Sequence, residues 1–111
     1  MAHYMLLLRS QPNRFTSLSP EEMQKVTEKY MEWRTRPFVR DGAGLVDNSG
    51  HVVVKGGASV TEGPFSESRE VVAGFYTIKA ADWDEAVKLA LTNPHVSAGS
   101  IEIREVIHRA S

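Results

Sequence analysis

The chain has 111 residues, a formal charge of −1, 41% hydrophobic residues and no cysteine. That length supports one domain (1–111) with a two-layer core, and a near-neutral charge without basic runs gives no field for nucleic acid or anionic membrane. The missing thiols exclude disulfides, thiolate catalysis and Cys-based metal sites, and they fit a reducing, cytoplasmic setting.

His3 to Arg9 reads as a first strand, with Tyr4, Leu6 and Leu8 on one face and Met5 and Leu7 on the other. Its apolar run is closed by Arg9 and is far too short to span a bilayer. Apolar residues on both faces call for cover on both sides. A polar loop, Gln11 to Leu18, leads to Ser19-Pro20-Glu21-Glu22, which has the form of a helix start with an N-cap, a proline at the first position and a capping box. Met23, Val26, Tyr30 and Trp33 follow as one apolar stripe, and Pro37 ends the helix.

Asp41 to Gly57 is turn-prone, with Asp47 to Gly50 as a turn between short extended pieces, the second being Val52 to Val54. Val71 to Lys79 is a strand. Asp82 to Thr92 is a second helix with Asp82 and Glu85 as a cap pair and Trp83, Ala86, Val87, Ala90 and Leu91 as the expected buried stripe. Asn93-Pro94 stops it, and Ser100 to Ile107 is the last strand. The order β-α-β-β-α-β is the ferredoxin-like α+β arrangement, an antiparallel sheet with helices on one face. The bare face then needs a second copy of the chain, so the composition of the strands predicts a homodimer.

The ordered set Lys55-Gly56-Gly57, Thr61 to Tyr76, Ala80 to Ala86, Asn93-Pro94-His95 and Gly99 to Arg104 resembles the YCII-related family, specifically its DGPF subgroup. The resemblance extends over nearly the whole chain and implies a dimeric α/β barrel of two ferredoxin-like subunits. The wider superfamily holds small-molecule isomerases, dehydrochlorinases and cofactor-free oxygenases, which fixes no reaction for this chain. Some subgroup members are attached to transcription factors, which implies a sensor role there. The motif that names the subgroup begins with Asp, and Glu62 stands in its place. YCII relatives pair an Asp with a His on the first helix, but Glu21 to Arg36 contains no His, so that dyad does not transfer.

Two residues are the candidates for acid–base catalysis. Glu62 sits at the Gly63-Pro64 bend, where it would serve as a general acid or base or accept hydrogen bonds from the turn amides. His95 follows the second helix and would either shuttle a proton or interact with the last helical carbonyls. Arg104, Glu102, Phe65 and Ser66 are the candidates for holding substrate. Glu102 and Arg104 share a face of the last strand, so Arg104 either clamps an anion or joins an ion pair at the dimer interface. Trp33 and Trp83 are expected in the core. No His spacing or HExxH suits a metal, and Gly42-Ala43-Gly44 and Gly56-Gly57 match no phosphate loop, so neither metal nor cofactor is expected. The resulting expectation is a homodimer with a small-molecule pocket at the barrel, carrying out cofactor-free acid–base chemistry on a small carboxylated molecule. The alternative is a non-catalytic ligand-binding or regulatory module.

Overall fold

Alternation of apolar side chains along the first strand decides which face of the sheet becomes the core. In the computed structural model, which describes residues 1–11, 14–46, 51–53, 56–57, 59–61 and 70–107, β1 (Ala2–Ser10) buries Tyr4, Leu6, Leu8 and Ser10 and leaves Met5 and Leu7 half-buried on the other side. The period of two that is visible in the sequence is therefore the period of burial.

Ser19 caps α1 (Pro20–Arg34). The Glu22 amide donates to the Ser19 hydroxyl at 3.1 Å, and the Ser19 amide donates to the Glu22 carboxylate at 2.9 Å. These two bonds satisfy amides that a helix start otherwise leaves orphaned. Along the apolar stripe, burial deepens toward the C-terminus. Met23 is exposed, Val26 and Tyr30 are half-buried, and Trp33 is buried. Trp33 stands edge-on to Phe38 and Tyr76, and its indole donates to the Thr92 hydroxyl at 2.9 Å.

The chain then forms β2 (Val39–Gly44), β3 (His51–Val53), β4 (Ser59–Thr61), β5 (Val71–Ala80), α2 (Trp83–Ala90), a short 3-10 turn (Pro94–Ser97) and β6 (Ser100–Glu105). The main sheet is antiparallel with order β2-β5-β1-β6, and β1 and β5 are its central pair. With two helices it is an α+β fold consistent with the ferredoxin-like arrangement. The extended piece near Val52 to Val54 stays outside this sheet, where β3 pairs with β4 as a separate hairpin. The turn at Asp47 to Gly50 lies outside the described residues, as does Val54.

Tyr4, Leu6, Leu8, Tyr76, Ile78 and Ala80 of the sheet form one core cluster with Trp33, Ala86 and Ala90 of the helices. The face of α2 is narrower than the expected stripe. Ala86 and Ala90 are buried, whereas Trp83 is 46% exposed, Val87 43% and Leu91 64%. Alanines one turn apart let the helix backbone approach the sheet closely, which leaves the bulkier neighbours at the margin. Trp83 still packs its ring edge-on against Tyr4 at 5.0 Å.

The opposite sheet face carries Met5, Leu7 and Arg9 of β1, Phe75 and Thr77 of β5, and Glu102 and Arg104 of β6. Leu7 stands opposite both Phe75 and Glu102, and Met5 opposite both Thr77 and Arg104. Among the described residues no helix covers this face, and none is long and apolar enough to cross a membrane.

Candidate functional site

Asn93 and Pro94 end α2 and turn His95 inward. The Asn93 side-chain oxygen accepts from the His95 amide at 2.8 Å, and Pro94 starts the 3-10 turn. The imidazole is 2% exposed. Its Nε2 lies 2.8 Å from the Arg9 carbonyl of β1, and its Nδ1 lies 2.8 Å from the Tyr30 hydroxyl of α1. A carbonyl only accepts, so Nε2 carries the proton; in the neutral ring Nδ1 is then the acceptor, and Tyr30 donates to it. The partners of this ring are a strand carbonyl and a phenol, in place of the α2 carbonyls.

Gly99 makes the arrangement possible. A Cβ there would lie 2.0 Å from the Arg9 oxygen and 3.0 Å from His95 Nε2. Gly42 has a comparable role beside the site, since its missing Cβ would stand 2.5 Å from the Tyr76 ring. The Tyr76 hydroxyl in turn donates to the Tyr30 carbonyl at 3.0 Å and fixes this turn of α1 over the sheet.

Tyr30 and His95 both line a cavity of about 320 Å³ between α1 and the β2–β5 side of the sheet. Its walls are mainly apolar, with Phe15 from the preceding loop, Val26 and Met31 from α1, and Leu8 and Gly74 from the strands. Arg34 reaches its edge, where it pairs with Asp41 at 3.2 Å.

Burial sets the protonation of the polar end. It lowers the His95 pKa, with the Arg14 charge acting in the same sense, while the bond to the Arg9 carbonyl and the Glu70 charge oppose it. Burial raises the Tyr30 pKa, with Arg14 offsetting part of the rise. The Tyr76 hydroxyl is pushed up to about 12 by burial and by its neighbour Tyr30. At neutral pH the pair is therefore a protonated phenol donating to a neutral imidazole. A proton arriving at the Tyr30 oxygen lets the phenol proton pass to Nδ1, and the Arg9 carbonyl is already placed to hold the resulting imidazolium by its Nε2–H.

Glu62, Phe65 and Ser66 lie outside the described residues. Glu102 and Arg104 are described, and they lie on the open face of the sheet, away from His95. Glu102 bridges two arginines there, Arg9 at 3.0 Å and Arg104 at 3.2 Å. Arg104 is the more exposed, with 70% of its side chain accessible. Among the described residues no cluster of His, Asp or Glu is arranged to hold a metal.

Sequence reasoning passed over Tyr30 and Arg14. Tyr30 reads as one more member of an apolar stripe. Its signal was the hydroxyl itself, because a buried tyrosine needs a partner for its O–H. Arg14 sits in a polar loop where nothing local marks it.

The YCII-related domain model matches residues 2–109. An uncharacterized protein of Rhizobium meliloti (strain 1021) is 35% identical over 89 residues, which is 75% of this chain and 68% of that protein.

Proposed function

The chain belongs to the YCII-related family, and from that premise we propose that it binds a small, largely apolar organic molecule in the cavity beside α1 and moves a proton on it through Tyr30 and His95. The 2.8 Å contact between the Tyr30 hydroxyl and His95 Nδ1, with Nε2 held by a carbonyl, carries this reading. The step is a proton transfer alone. The ligand loses a proton to the Tyr30 oxygen, the phenol proton moves to His95 Nδ1, and reversal of the relay returns a proton to the ligand. It needs no cofactor. Glu62 is proposed as a second acid–base group on its motif position, with Phe65 and Ser66 beside the ligand.

The functional unit in this reading is a homodimer, in which the open face of one sheet covers that of a second copy. Half-buried Met5, Leu7 and Phe75 supply the apolar part, and the Arg9–Glu102–Arg104 group supplies both signs of charge, which a two-fold axis pairs with themselves. Arg104 then serves the interface.

A second reading, a ligand-binding module without turnover, is favoured by one observation. Both ring nitrogens of His95 are already hydrogen-bonded. A screen of small organic molecules bearing an acidic C–H, run in deuterated water, separates the two. Deuterium entering a ligand with the wild type and not with Tyr30→Phe supports proton transfer. Cavity binding without exchange supports the module.

A further inference from the structure

Arg14 carries a charge that is unpaired among the described residues. Its Nε is buried and has no hydrogen-bond partner among the described residues. Its guanidinium lies over the Phe15 ring, 5.0 Å from the centroid, and Phe15 is part of the cavity wall. Arg9, Arg34, Arg36 and Arg104 each pair with a carboxylate; among the described residues Arg14 has none. Arg14 as a whole is half-buried, and withdrawing even part of a guanidinium from water beside an apolar wall without a counter-charge is costly. Arg14 is not itself a wall residue of the cavity; it stands against the wall residue Phe15, and its charge acts on Tyr30 and His95 at the polar end.

We infer that Arg14 holds the anionic group of the ligand, and that the ligand is a small monocarboxylate with an apolar body. This rests on the cavity reading above and specifies its ligand. A single guanidinium fork matches a single carboxylate in geometry and charge. The stacked Phe15 restrains the fork, and the apolar walls take the rest of the molecule. A cavity of about 320 Å³ is near the lower end of ordinary ligand sites, about 300–1,000 Å³, so the ligand is small. The carboxylate would sit beside Tyr30, which places carbons close to the acid group nearest the proton relay. Arg34 is less suited to this task because Asp41 already neutralises it.

The test uses the full chain and two matched probe pairs, phenylacetate with phenylacetamide and 4-phenylbutyrate with its amide. Binding is read by calorimetry and by NMR shifts of cavity residues. The wild type should bind each acid about tenfold or more tightly than its amide, and Arg14→Gln should abolish that preference. Arg14→Lys should retain part of it, which guards against a merely misfolded Gln variant. Equal binding of acid and amide by the wild type, or an unchanged acid preference in Arg14→Gln, overturns the role of Arg14 and leaves the cavity reading standing. Binding of neither probe pair in the cavity overturns both.

Discussion

The Tyr30 hydroxyl and His95 Nδ1 stand 2.8 Å apart although 65 residues separate them in the chain. The contact joins the middle of α1 to the turn after α2, and it makes a helix residue that sequence patterning assigns to packing into the polar end of a cavity. Replacing Tyr30 with Phe removes the donor and leaves a nearly inaccessible nitrogen unsatisfied. The expected loss is about 1–3 kcal/mol of unfolding free energy, read from urea denaturation. The His95 ring nitrogen shifts should move as well. A variant as stable as the wild type with an unchanged imidazole spectrum would show that the bond carries no weight.

His95 also predicts a pH dependence. Its folded pKa lies below its ordinary value of 6.5, chiefly because of burial, so below that pH the unfolded chain binds the proton first. Stability is therefore full above pH 6.5 and falls as the pH drops toward the folded pKa, with a slope of up to about 1.4 kcal/mol per pH unit. Arg14 enlarges the effect, and Glu70 and the Arg9 carbonyl reduce it. Urea midpoints between pH 7.5 and 5 should show a shallower decline in His95→Gln than in the wild type. Identical slopes would mean that the imidazole takes up its proton as easily folded as unfolded.

Gly99→Ala should be severe. The new methyl would meet the Arg9 carbonyl, which is backbone, and would crowd His95 Nε2. We expect a loss of about 1–3 kcal/mol together with weakened protection of the His95 ring proton. Gly44→Ala provides the contrast, since nothing lies within 4 Å of the added carbon. Its effect should remain within about 0.5 kcal/mol. Equal effects of the two substitutions in thermal melts would refute the steric account.

A charge on the open face tests the dimer. Phe75→Glu should convert a species of twice the monomer mass into monomer in sedimentation velocity, with little change in the folded core, because Phe75 faces away from it. Arg104→Glu should weaken association in the same direction, because it sets a second carboxylate beside Glu102 and leaves Arg9 as the one cation of the group. A wild type that sediments as monomer at high micromolar concentration would remove this part of the proposal.

Local pattern determined a good deal of this protein. The alternation of Tyr4, Leu6 and Leu8 set the buried face of β1. The Ser19–Glu22 box set the start of α1, and Asn93-Pro94 set the end of α2. Such features act within a few residues, so their physics is present in the sequence. The pattern over-assigned α2, because apolar spacing does not reveal how closely Ala86 and Ala90 let a helix approach a sheet. It placed the pocket at the barrel, on the open side of the sheet, whereas the cavity lined by Tyr30 and His95 lies on the helix side, between α1 and β2–β5.

Only the tertiary structure decided that His95 meets Tyr30 and the Arg9 carbonyl, contacts that span 65 and 86 residues, and that Glu102 and Arg104 turn away from them. Those distances depend on the strand order β2-β5-β1-β6 and on the close approach at Gly99. A sequence records which residues are able to bond; chain crossing and steric fit choose which of them do.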